Sequence, residues 1–125
     1  AGGIYTTPDM YAAFLRKILA GQLAIAAWLG TNTVPASALL GAPNSPAPVD
    51  EPWTYSLGHW VEPGPPYSDG SFSSGGSLGF YPWINAARGL YGLVARNSLT
   101  GSDSGTIGIE SVRTGQAIRK AFLSP

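Results

Sequence analysis

The chain has 125 residues, enough for one domain, or a large piece of one, with a modest core. Seven basic and seven acidic residues balance without any block of like charge, which argues against nucleic acid and against an acidic membrane surface as partners. Charged residues make up 11% of the chain, well under half of the roughly 25% usual in soluble domains, so part of the surface is expected to be covered.

Thr6-Thr7-Pro8-Asp9 reads as a helix start, because a threonine can cap the first amides, Pro8 suits the first turn and Asp9 complements the positive helix end. An amphipathic helix is expected over 8–20, with Tyr11, Phe14, Leu15, Ile18 and Leu19 on its apolar face and Gly21 closing it. Leu23 to Leu29, bounded by Gly30, reads as a second short apolar helix, although seven residues leave helix and strand both open. The apolar stretch from Ile18 to Leu29 is broken by Gly21 and Gln22 and falls short of the roughly 20 residues of a membrane span. Residues 1–30 thus form a helical segment. Over 31–52 the composition shifts to Pro, Ala, Ser and Asn, and Pro35, Pro43, Pro46, Pro48 and Pro52 make it a connecting loop.

Residues 53–125 carry the strands. Trp53 to Glu62 reads as the first, ended by Pro63-Gly64-Pro65-Pro66; Ser74 to Asn85 reads as the second. Asn85-Ala86-Ala87-Arg88-Gly89 is a short hairpin connection into a third, near-continuously apolar strand from Leu90 to Asn97. A final helix is expected from Thr106 to Leu123, with Val112, Gly115, Ile118, Phe122 and Leu123 on its apolar arc and Arg113 and Lys120 on the wetter side. A glycine inside a helix costs about 1 kcal/mol relative to alanine, so Gly115 is expected to mark a close approach to the sheet. The fold class is therefore α+β: an N-terminal amphipathic helix, then a three-stranded antiparallel meander covered by a C-terminal helix.

Little of the chain can carry chemistry. Cysteine is absent, which excludes a disulfide framework, a thiolate metal site and a cysteine nucleophile while leaving the compartment open. A metal site would need the single His59 together with scattered carboxylates such as Asp50, Glu51 or Asp69, so neither metal nor cofactor is expected. A triad on His59 lacks the Gly-x-Ser-x-Gly elbow that would present its serine, and Gly101, Gly105 and Gly108 match no phosphate-binding fingerprint. The aromatic set Trp53, Tyr55, Trp60, Phe80, Tyr81 and Trp83 reads as core before it reads as a sugar or peptide platform. The sharper signal is Ser73-Ser74-Gly75-Gly76, whose unhindered amides and hydroxyls can bond an extended substrate and stabilise an oxyanion.

Four blocks, in order, resemble the serine beta-lactamase and penicillin-binding-protein superfamily in its class C and family VIII esterase branch. Ala1 to Leu15 resembles the passage AGG-(L/I)-x-(S/T)-T-x-x-(D)-x-A-x-F-L; Tyr55-Ser56-Leu57-Gly58-His59-Trp60 resembles YGLGW; Ser74 to Gly79 resembles HGGxxG; and Asn85 to Leu90 resembles DPxxGL. The resemblance implies a beta-lactamase-like fold and an acyl-enzyme mechanism. It places the third active-site motif on Ser74-Gly75-Gly76, or one residue earlier on Ser73-Ser74-Gly75, with the amide of Ser77, or alternatively of Gly76, as an oxyanion donor. The usual Lys or His at the head of that motif is a serine here, which argues for an esterase or amidase-like parent rather than a lactamase of carboxylate-bearing substrates.

Ser-x-x-Lys and Tyr-x-Asn, the family's nucleophile motif and second motif, do not occur in these 125 residues. The chain is thus expected to be the C-terminal fragment of a serine hydrolase, supplying the substrate-binding strand but no catalytic residue, and inactive alone. The start at Ala1-Gly2-Gly3, with neither an initiator methionine nor a signal-peptide pattern, is read as a cut inside a longer protein. Its expected partners are the missing N-terminal portion or a second copy, and a small ester, amide or peptide substrate. The competing expectation is a non-enzymatic α+β module that binds a peptide or glycan.

Overall fold

The structure, a computed structural model, describes residues 4–31, 33–34, 38, 46–48, 50–76, 78–96 and 104–123, the side chains of the last segment from residue 107. Helix α1 spans Pro8–Leu19 and starts as the sequence dictates: Pro8 opens it, Asp9 lies in its first turn, and the Thr7 hydroxyl accepts the Met10 amide at 3.3 Å. The apolar run after Gly21 forms a short 3-10 helix, Ala24–Trp28. Of the proline-rich segment, most lies outside the described residues; Val34 makes an isolated bridge to Tyr55.

The sheet has five strands where three were expected. They are β1 Thr54–Tyr55, β2 Trp60–Val61, β3 Phe72–Ser73, β4 Tyr81–Asn85 and β5 Leu90–Val94, all antiparallel, in the order β1-β2-β3-β4-β5. The expected first strand folds back on itself, because Gly58 takes φ +78° and the Ser56 amide returns to the His59 carbonyl at 2.8 Å. Of the expected second strand only the last part, Tyr81–Asn85, is regular and forms β4, while β3 lies just before its expected start. Asn85-Ala86-Ala87-Arg88-Gly89 does make the connection to β5, as one 3-10 turn in which the Asn85 side chain accepts the Arg88 amide.

Both faces of this sheet are covered. On one side α1 and the 3-10 helix pack Leu15 and Ile18 against Ile84, with Tyr91 and Leu93 alongside. On the other, α2 (Ser104–Leu123) packs Val112 against Trp53, Tyr81 and Trp83. Every residue of β4 is buried, as befits a strand with helices on both sides.

The buried stripe of α2 differs from the expected arc. It runs Gly108, Ser111, Val112, Gly115 and Arg119, whereas Ile118 is 39% and Phe122 79% exposed. Small residues win the sheet-facing positions because the aromatic rings of β4 already fill the layer. A Cβ on Gly115 would run into the Tyr81 ring and lie 3.1 Å from Trp83 Cζ3, which is the close approach expected of this glycine. Among the described residues no helix is long and apolar enough to cross a membrane.

Candidate functional site

After Ser73 the chain stays beside β4 without forming a regular strand. Ser74 donates its amide to the Pro82 carbonyl at 3.2 Å and Gly76 donates to the Phe80 carbonyl at 2.8 Å; the Gly79 amide then closes the turn onto the Gly76 carbonyl at 3.0 Å. Since amides alternate along an extended chain, the Gly75 amide faces the opposite edge. There β2 has already turned away at Gly58 and His59, and among the described residues nothing bonds the Gly75 amide or carbonyl.

Pro82 opens the ladder a second time. A proline in a central strand is unusual because it gives the ladder no hydrogen. Its nitrogen belongs to the position opposite Ser74, so among the described residues the Ser74 carbonyl accepts no hydrogen bond. The two ends of the Ser74-Gly75 peptide are thus both unpaired among the described residues, the carbonyl facing β4 and the amide facing the opposite edge.

Beside them lies a cleft of about 190 Å³ between α1, the 3-10 helix and the sheet. Tyr11, Phe14, Ile25, Leu29, Gly58 and Ser74 form part of its wall, and no residue of the wall carries a formal charge. Phe14, Ile25, Trp28 and Leu57 are each at least 40% exposed, so apolar surface continues out of the cleft. The arrangement can hold a carbonyl or an extended backbone at the strand edge and an uncharged apolar group in the cleft.

The sequence-predicted residues separate here. Ser74 is exposed at the cleft and Gly75 presents the open edge, while the Gly76 amide is spent within the turn. Ser73 pairs laterally with Trp60 and Trp83, so its side chain shares the face covered by α2; its hydroxyl is buried there, without a partner among the described residues. Ser77 lies outside the described residues.

His59 borders the same cleft but is held as a structural group. Its Nε2 accepts the Gly30 amide at 3.0 Å, and its Nδ1 lies 3.2 Å from the Leu57 carbonyl, which fixes the neutral tautomer with the proton on Nδ1. Burial lowers its pKa from the ordinary 6.5, partly opposed by the Leu57 contact. With both ring nitrogens engaged, it has no lone pair to activate Ser74.

A second, larger cavity of about 440 Å³ lies on the α2 side, next to Tyr67, Ser68, Asp69, Gln116 and Arg119. Its charges are already matched. Arg119 Nη2 donates to Glu62 at 2.6 Å, Nε to Asp69 at 3.0 Å and Nη1 to the Tyr81 hydroxyl at 2.8 Å, and that hydroxyl donates to Glu62. The guanidinium also lies 5.2 Å from the Trp83 ring centroid. Burial and then the Glu62 charge push the Tyr81 phenol well above its ordinary pKa. Burial alone would raise the Asp69 carboxyl, but hydrogen bonds from Ser71 and Asn85 and the Arg119 charge leave it below the ordinary 3.8.

Glu51 forms a similar clasp, accepting from Trp53 Nε1, Arg113 and Gln116 at 2.8–3.0 Å. Sequence reasoning named Glu62 only as the end of a strand and gave Arg119 no place on its helix. The signal was the small-residue stripe of α2, which brings position 119 to the sheet. Among the described residues no group of three His, Cys, Asp or Glu side chains is placed to hold a metal ion. Comparison of the chain with protein-family models, with curated proteins and with solved structures found no match.

Proposed function

We propose that the chain supplies the substrate-binding wall of a beta-lactamase-like serine hydrolase, of esterase or amidase type, whose nucleophile comes from polypeptide outside these 125 residues. The observation that carries this reading is the open strand edge at Ser74-Gly75 beside an uncharged apolar cleft. An ester needs a donor for its carbonyl oxygen, an apolar slot for its acyl chain and no cation for a carboxylate, and the cleft supplies the last two. The first comes from the Gly75 amide and, by the resemblance, from Ser77. Nothing described on this wall can act as nucleophile and base together, so the acyl-enzyme forms on a serine brought by the rest of the site.

The reading is tested by mixing the purified chain with the upstream segment bearing Ser-x-x-Lys and following p-nitrophenyl butyrate. Turnover is expected from the mixture and from neither piece alone. If the two fold and associate without turnover, the reading is wrong. A second reading rests on the same open edge: a module that bonds an extended peptide by strand addition, without chemistry. A glycan platform is disfavoured, since Trp53, Tyr81 and Trp83 are at most 5% exposed. Peptide binding by the isolated chain, with no turnover on complementation, would favour the module.

A further inference from the structure

A single hydrogen bond from His59 ties two parts of the cleft wall together. The imidazole stands on the fold-back between β1 and β2, and its Nε2 accepts the amide of Gly30, just beyond the 3-10 helix Ala24–Trp28. The segment that supplies Ile25 and Leu29 to the wall is thus held to the turn that supplies Gly58 and His59. The fit behind the bond is close. A Cβ on Gly30 would lie 2.8 Å from Phe72 Cε1, and the Phe72 ring meets the His59 ring edge to face with centroids 5.6 Å apart.

The segment has few other holds. No residue of the 3-10 helix is buried and no side chain caps it; Leu23, Ala26 and Leu29 pack only partly buried against the α1 core, and the Ser56 hydroxyl donates to the Thr31 carbonyl. Low burial of this kind marks a part of the chain that opens by itself before the whole fold does.

Protonation of His59 acts on this bond directly. In the neutral ring both nitrogens are satisfied, but a second proton turns Nε2 into a donor that faces the Gly30 N–H, donor against donor. Turning the ring over brings no relief, because both nitrogens then carry hydrogen. The groups that face the ring are the Gly30 amide, the Leu57 carbonyl and Phe72. Around the cleft, from α1, β3 and β4, the one other titratable group of the wall is Tyr11, whose phenol burial pushes above its ordinary 10.0, so it stays neutral. No carboxylate of the wall offsets the new charge. Burial lowers the pKa of His59 in the closed arrangement, so acid favours the arrangement in which the ring is freed.

We propose that the His59–Gly30 hydrogen bond is a pH-sensitive latch on the cleft, closed while the imidazole is neutral and released by its protonation, so that the segment bearing Ile25 and Leu29 moves away and the cleft lets go of its occupant. The occupant rests on the reading of the cleft as a substrate wall; the movement is a property of this chain alone.

Amide exchange of the chain, corrected for the intrinsic rate at each pH, tests the latch. Between about pH 7.5 and 5 the protection of the Gly30 and Thr31 amides should fall about tenfold, the order of one hydrogen bond, in step with the His59 ring nitrogens read by NMR. Low urea should leave this exchange unchanged while it speeds that of the α1 amides, because only the segment opens. In His59→Gln, whose side-chain carbonyl can accept the Gly30 amide at any pH, protection should not vary with pH. 2-Hexanone has the carbonyl and apolar chain of an ester but cannot be turned over. Its binding, followed on the Ile25 and Leu29 methyl signals, should weaken several-fold over the same range. Four results overturn the proposal: Gly30 protection unmoved as His59 titrates, exchange with the urea dependence of α1, a pH dependence that survives in His59→Gln, or equal 2-hexanone binding at both ends of the range. If 2-hexanone binds at neither pH while the amides respond, the latch stands and the substrate-wall reading is what fails.

Discussion

Arg119 binds more of the molecule together than any hydrophobic residue of α2. Its side chain is 3% exposed and touches the end of β2 through Glu62, the following excursion through Asp69, and β4 through Tyr81. A buried ion pair contributes little over an apolar substitute, yet removing one partner strands the other charge in a low dielectric. Glu62, with its side chain fully buried, is the group left stranded. Arg119→Met should therefore lower the unfolding free energy by about 3–5 kcal/mol, measured in urea. The double variant Arg119→Met, Glu62→Gln should recover part of the loss, and equal losses in the two would contradict this account.

At the scale of elements, the helix starts and stops were legible because they are local chemistry. Thr7, Pro8 and Asp9 open α1, Gly21 (φ +69°) follows its end, and Gly89 (φ +66°) ends the turn into β5. The division of the strands was not, since β1, β2 and β3 are two residues long and one composition serves both a long strand and a tight fold-back. The arc of α2 was misread for a related reason: hydrophobicity was counted where fit decides. Gly115 measures that fit. Alanine there would gain about 1 kcal/mol of helix propensity, but overpacking against rigid rings costs about 1–3 kcal/mol. Gly115→Ala should thus destabilise despite its better propensity, with a lowered denaturation midpoint. A raised midpoint would mean that α2 can step back from Tyr81.

For the molecule as a whole, the candidate site was half legible: the Ser-Gly edge was named from sequence, but its opening depends on β2 turning away and on what Pro82 withholds, which are facts of neighbours. The same dependence governs pH. At pH 7 the formal net charge is zero, so acid sensitivity should come from individual groups on the two sides of β4. His59 has its folded pKa below the unfolded 6.5, so its contribution is fully present above 6.5 and is lost as the pH falls toward the folded value. Protonation there would also set a new N–H against the Gly30 amide. Asp69 has its folded pKa below 3.8; its contribution is present above 3.8 and is lost only as the pH falls below that, through the folded value. Thermal stability is therefore expected to fall in two stages, one beginning near pH 6.5 and a second below pH 4. His59→Gln should flatten the first stage and leave the second. Because β4 is shared by both cores, hydrogen exchange of the α1 amides and of the α2 amides should report the same midpoint at each pH. Separate midpoints would show that the two faces unfold independently.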